Sequence, residues 1–134
     1  MALDIYLSEK DPAEVVVGYF GGINAIEHES LFFNEFNIKT YLEYVKVGEK
    51  PRSYDNYLSE QYAKLQEKFP MISRIKEYYE DAVFSKSEIS ELVREIEALE
   101  RFVIHQLSKN FLKQLSSACQ TAQKNNVGMV LVAD

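Results

Sequence analysis

The chain has 134 residues, of which 46% are hydrophobic and 27% charged, and its formal net charge at pH 7 is −6. These values are typical of one soluble globular domain spanning 1–134, and a 13% share of aromatic residues argues against disorder. The apolar runs are far shorter than the roughly 18 residues of a membrane span, so no membrane segment is predicted. No basic region precedes an apolar stretch at the N-terminus, so we expect a cytoplasmic protein without a secretory signal.

The N-terminal part of the chain has strand patterns. In residues 3–7, apolar side chains alternate with Asp4 and Tyr6, which predicts a half-buried first strand. Residues 15–20 are β-branched and aromatic, and they predict a second strand that Gly21-Gly22 interrupts, although a helix starting near Pro12 is the alternative. Residues 23–36 fit neither period throughout and are interpreted as a strand or a short helix.

Helical patterns follow. Apolar residues at helical spacing behind Asn37 predict a helix up to Gly48, and residues 47–56 have a loop composition. Residues 58–69 form one helical stripe, and Pro70 suits the first position of a further helix.

The strongest helix signal covers residues 85–103. With Ser85 as the N-cap, Glu88 is the third helical residue and completes a capping box, while Phe84 and Ile89 are spaced for a hydrophobic staple.

The C-terminal part has the patterns of a helix and a buried strand. Ser108 is the predicted N-cap of the last helix, which ends between Asn125 and Gly128, and the apolar residues 129–133 predict the strand. The sum is a small, mostly helical α+β domain with about five helices and a small sheet made from the N-terminal strands and the C-terminal strand.

Residues capable of catalysis form no recognisable motif. His28, in the segment Glu27-His28-Glu29, is interpreted as part of a polar surface turn rather than as a base or metal ligand, and His105 as a loop or helix-end residue. Cys119 falls on the apolar side of a helix and is interpreted as a buried, inert thiol. The glycines of residues 18–22 lack the spacing and the lysine of a phosphate-binding loop. We therefore predict a protein that is not an enzyme and that has no cofactor or metal.

Acidic residues concentrate in the segment 77–100, EYYEDAVFSKSEISELVREIEALE, which has eight acidic and two basic residues and so accounts for the whole net charge. Such a charge repels nucleic acid phosphates, and it attracts a basic protein partner and speeds its association. Tyrosines beside carboxylates are common at contacts with Arg or Lys. The predicted partner-binding surface consists of Glu77, Tyr78, Glu80, Asp81, Glu88, Glu91 and Glu95. The spacing of Glu88, Glu91 and Glu95 puts their carboxylates on one helix face, and the alternative is that this face is only solvated surface.

Part of the chain also resembles a family. The spacing from Phe84 through Glu88-Ile89, Leu92 and Glu95-Ile96 to Leu99 is followed by the helix FLKQLSSACQTA and by VLVAD. Together these segments resemble small acidic immunity proteins of bacterial polymorphic-toxin and contact-dependent inhibition systems, over about the C-terminal 60 residues. The resemblance implies a cytoplasmic, non-enzymatic protein that blocks the active site or substrate groove of a cognate toxin domain. Many such toxins are nucleases, whose basic clefts an acidic helix can occupy.

Two other hypotheses belong to different classes. One is a regulatory or adaptor domain that binds a partner helix or a small ligand in a groove lined by Phe32, Phe33 and Phe36. The other is an enzyme that uses His28 or His105 with a carboxylate.

Overall fold

The structure is a computed structural model that describes residues 2–9, 18–36, 38, 60–75 and 81–133. Within these ranges the domain has the predicted α+β class, with four α-helices rather than about five; of the predicted helix that ends at Gly48, only Ile38 lies in the described residues. The strands are β1 (Ala2–Ser8), β2 (Tyr19–Asn24), β3 (Ala82–Phe84) and β4 (Gly128–Ala133). The helices are α1 (Ala25–Glu29), a π-helix (Ser30–Glu35), α2 (Glu60–Lys68), a 3-10 helix (Ile72–Ile75), α3 (Ile89–Glu100) and α4 (Gln106–Asn125).

The four strands form one antiparallel sheet in the order β2-β1-β4-β3. The predicted sheet of N-terminal and C-terminal strands is confirmed, and β1 and β4 are its central pair, with Ile5 opposite Leu131. Strand β3 was not predicted. It has only three residues, of which Ala82 and Phe84 are buried and Val83 is exposed, and so short an alternation is hard to recognise.

Strand β2 lies further along the chain than predicted. It runs through Gly21 and Gly22 instead of ending there, because both glycines pair with β1, opposite Ile5 and Asp4. Residues 10–17, which include the rest of the predicted strand, lie outside the described residues.

The helices pack on the sheet face that carries Leu3, Ile5 and Leu131. Helix α4 is the centre of the packing and contacts α1, the π-helix, α3, β2 and β4. Burying a side chain of Leu, Ile or Phe size stabilises the folded state by roughly 1.5–3 kcal/mol. Helix α4 buries its predicted apolar face, namely Phe111, Leu112, Leu115, Ala118, Cys119 and Ala122. No helix in the described ranges is long and apolar enough to cross a membrane.

Residues 23–36 form the end of β2, then α1 and the π-helix. The side chain of Asn24 caps α1 by accepting a hydrogen bond from the Ile26 N–H at 2.8 Å. The prediction that Ser108 caps the last helix is wrong, because α4 begins at Gln106. Ser108 is instead buried, and its hydroxyl lies 2.8 Å from that of Ser30, which links α4 to the π-helix.

Two further helix starts differ from the prediction. Helix α3 begins at Ile89, because residues 86–88 form a turn, but half of the predicted capping box is present: the Ser85 N–H donates to Glu88 Oε1 at 3.1 Å. After Pro70 the chain forms the 3-10 helix rather than an α-helix. The predicted end of the last helix is confirmed, since Asn126 adopts the left-handed conformation with φ of 55°.

Candidate functional site

The predicted partner-binding residues fall into unlike environments. Glu77, Tyr78 and Glu80 lie outside the described residues. Asp81 is exposed just before β3, and the other three acidic residues lie at the start of α3 or within it. These three carboxylates differ in burial and in their hydrogen-bond partners.

Glu95 has a structural role. It is only 8% exposed, and its carboxylate accepts hydrogen bonds from the Met71 N–H at 3.1 Å and the Ile72 N–H at 2.9 Å. It therefore caps the N-terminus of the 3-10 helix with a side chain from α3. Burial raises the pKa of this carboxyl group, while the two backbone hydrogen bonds act in the opposite direction.

Glu88 joins three parts of the fold. Its carboxylate forms an ion pair with Arg74 at 2.5 Å and also accepts the Ser85 N–H bond. The hydrogen bond from Arg74 is the main reason that the pKa of Glu88 falls to about 2. The guanidinium also donates to the Val83 carbonyl at 3.0 Å, so the pair ties the 3-10 helix to β3 and to the turn before α3.

The outer surface of α3 retains acidic side chains in solvent. Glu91 is exposed and pairs with Arg94 at 2.5 Å, and Glu97 and Glu100 are also exposed. By helical geometry Glu91 and Glu100 flank the exposed arc of α3, with Glu97 between them. Besides Arg101, the exposed C-cap of α3, four acidic and two basic residues are exposed between positions 81 and 100 of the described chain. They are Asp81, Glu91, Glu97, Glu100, Lys86 and Arg94, and Asp81, Glu91, Glu97 and Glu100 are called the acidic surface below.

The interpretation of His28 as a surface residue is wrong. His28 lies in α1 rather than in a turn, and it is completely buried between the rings of Phe32 and Phe111, with centroid distances of 4.9 and 5.7 Å. Its Nε2–H donates to the carbonyl of Ile75. Burial is the main reason that the pKa of His28 falls to about 4, so the ring is neutral at pH 7.

The other candidate catalytic residues lie apart. His105 is exposed at the N-cap position of α4, as predicted for a helix-end residue. Cys119 is buried, as predicted, and burial raises the pKa of its thiol to about 12, which opposes thiolate formation. Among the residues described, no group of three His, Cys, Asp or Glu side chains is arranged to hold a metal ion.

A groove with an aromatic floor lies between α2, the π-helix and the end of α3. Its volume is about 380 Å³, and the rings of Phe36, Phe69 and Phe102 form a triangle with centroid distances of 6.0–6.2 Å. Phe69 is buried, Phe36 is half-buried and Phe102 is 43% exposed. This surface is called the aromatic groove, and its described lining is Glu35, Phe36, Lys64, Leu65, Lys68, Phe69 and Phe102.

The groove differs from the one predicted with Phe32, Phe33 and Phe36. Phe36 lines it, but Phe32 is fully buried in the core and Phe33 is half-buried. Phe36 directly follows the π-helix, a rare conformation that is frequent at functional sites. The stripe of residues 58–69 already contained Phe69, but no sequence signal placed it beside Phe102, because that contact joins residues more than thirty positions apart.

In comparisons with known proteins, no family model, curated protein or solved structure matches this chain.

Proposed function

We propose that this chain is a non-enzymatic protein-binding protein that acts in the cytoplasm as an immunity protein, neutralising a cognate bacterial toxin by occluding a basic cleft. The observation that carries the proposal is the acidic surface: Glu91, Glu97 and Glu100 are exposed on one well-formed helix, and Asp81 is exposed just before β3. A rigid helix presents its charges without a large ordering cost on binding, and this favours tight association.

Within this proposal the charged residues of this region have separate tasks. Glu95 and Glu88 hold the 3-10 helix and the start of α3 in place, so they position the acidic surface. Glu91 and Glu97 supply negative charge to the partner, together with Asp81 and Glu100. Arg94, which pairs with Glu91, restricts the charge pattern that a partner can match.

Binding kinetics with the product of the gene beside this one test the proposal, which expects that product to contain a toxin domain. The double variant Glu91→Lys/Glu97→Lys should slow association at least about tenfold at low salt, because electrostatic steering depends on these charges. A matched control, Glu9→Lys/Glu67→Lys, makes the same change of net charge at two other exposed positions. Equal association rates for the two double variants, or a neighbouring product that does not bind, would contradict the proposal.

A second candidate function is a regulatory or adaptor domain that binds a partner segment in the aromatic groove. The specific observation in its favour is the solvent-exposed edge of the groove, where Phe102 is 43% exposed. Truncating this ring in Phe102→Ala should abolish partner binding under this candidate and leave it unchanged if contact is confined to the acidic surface.

A further inference from the structure

The aromatic groove combines an apolar floor with an exposed apolar margin. Phe69 and Leu65 form its buried part, and Phe102 forms its exposed edge. Two residues further along the chain, Ile104 is 74% exposed, and Leu107 in the first turn of α4 is 40% exposed. An apolar floor that opens to solvent at Phe102 is a surface on which another molecule can pack.

The rim of the groove is basic. Lys64 and Lys68 are both exposed and lie one turn apart on α2, so their side chains leave the helix on the same side. The ammonium group of Lys68 lies 5.7 Å from the centroid of the Phe69 ring, at the margin of the apolar floor.

Glu35 is the acidic residue of the described lining, and its carboxylate binds backbone N–H groups rather than facing an incoming ligand. Glu35 Oε1 accepts hydrogen bonds from the Ile104 N–H at 3.1 Å and the His105 N–H at 3.0 Å, just before α4. The carboxylate thus serves backbone donors at a helix N-terminus, where negative charge is stabilised. An incoming group therefore meets two ammonium groups above an aromatic floor.

We propose that the aromatic groove binds an acidic amphipathic segment of a partner protein. An apolar side chain of that segment packs against Phe36, Phe69 and Phe102, and flanking Asp or Glu carboxylates meet Lys64 and Lys68. A volume of about 380 Å³ is near the lower end of small-molecule pockets, which is roughly 300 Å³, and the groove is open along its Phe102 edge. The small volume and the open edge both suit a partner helix that lies along the groove and inserts one anchoring side chain. This inference deepens the second candidate function and does not depend on the acidic surface.

Selection from a random 16-residue peptide library displayed on phage, with the full-length chain as bait, tests this inference. We expect enrichment of peptides in which an aromatic, Leu or Met residue is flanked by Asp or Glu. Synthetic copies should bind the double variant Lys64→Glu/Lys68→Glu at least tenfold more weakly, and Phe102→Ala should reduce binding as strongly. The control Lys113→Glu/Lys124→Glu makes the same charge change at exposed positions of α4 outside the groove and should bind as the parent protein does.

Three outcomes would overturn the inference: no enriched motif, an enriched motif without acidic residues, or acidic peptides that bind Lys64→Glu/Lys68→Glu unchanged. Peptides that keep their affinity after Ser replaces their apolar residue would overturn it as well. The variant Glu91→Lys/Glu97→Lys should bind the peptides normally, so failure at the groove is distinguishable from failure of toxin binding at the acidic surface.

Discussion

The carboxylate of Glu95 caps the backbone N–H of Ile72 at 2.9 Å, so a side chain from α3 holds the start of a 3-10 helix 23 residues earlier in the chain. In the sequence, the spacing of Glu88, Glu91 and Glu95 predicts that their carboxylates lie on one face of a helix. In the fold Glu95 points inward, and Met71 is its second donor.

Replacing Glu95 should therefore destabilise the protein. Glu95→Ala leaves one buried and one part-buried N–H group without their acceptor, and we expect a loss of about 2–4 kcal/mol in the free energy of unfolding. Glu95→Gln keeps one acceptor oxygen and should cost less. In urea unfolding, the exposed control Glu91→Ala should change stability by no more than about 1 kcal/mol. Equal losses for Glu95→Ala and Glu91→Ala would show that the cap does not contribute to stability.

Arg74 and Glu88 should be energetically coupled. Because the pair is half-buried and solvent screens it, we expect a coupling energy of about 1 kcal/mol from a double-mutant cycle at pH 7. The pKa of Glu88 is lowered to about 2 in the folded state, so this stabilisation is present above the ordinary glutamate pKa of 4.5 and is lost as the pH falls toward 2. The exposed pair of Glu91 and Arg94 provides the comparison, and its coupling should be smaller. A Glu88 coupling that does not weaken between pH 6 and pH 2.5 would contradict this account.

Protonation of His28 should oppose folding. Its pKa is about 4 in the folded protein, whereas the ordinary pKa of histidine is 6.5, so the unfolded chain binds the proton more readily between these values. Stability should fall as the pH drops through this window, by about 2 kcal/mol between pH 7 and pH 5. An NMR titration should show His28 still neutral at pH 5, while the variant His105→Gln identifies the resonance of the exposed histidine. A His28 resonance that titrates near pH 6.5 would refute the prediction.

Two glycines of the N-terminal sheet should respond in opposite ways to alanine. Gly18 has φ of +109°, and a Cβ there would lie 2.7 Å from the Leu7 carbonyl oxygen, so Gly18→Ala should cost more than about 1 kcal/mol. Gly21 has open space around its Cβ position, and Gly21→Ala should be neutral or stabilising by up to about 1 kcal/mol. Thermal unfolding of both variants checks the contrast, and equal shifts in Tm would contradict it.

Local patterns were sufficient for much of the fold. The alternation of residues 3–7 predicted β1, and the apolar run 129–133 predicted β4. The helical stripes predicted α2, α3 and α4, and α3 and α4 each bury one continuous face. The short strand β3 and the order of the sheet depend on pairing between residues far apart in sequence, as in Ala82 with Leu131, and local patterns do not encode such pairing.

The candidate site was harder to predict, because it also depends on contacts between residues that are far apart in the sequence. Spacing along a helix indicated that the acidic residues cluster. It did not indicate that Glu95 accepts hydrogen bonds from the Met71 and Ile72 N–H groups, because those donors belong to another element. His28 was misread because its neighbours Glu27 and Glu29 are charged, whereas its burial is due to Phe32 and to the distant Phe111.

The proposed neutralisation of a toxin is tested most directly by the growth of bacteria that co-express this chain with the product of the gene beside its own. The account predicts that the parent protein restores growth, that Glu9→Lys/Glu67→Lys also restores it, and that Glu91→Lys/Glu97→Lys fails at equal protein levels. Growth that the parent protein does not restore, or that Glu91→Lys/Glu97→Lys restores fully, would contradict the account.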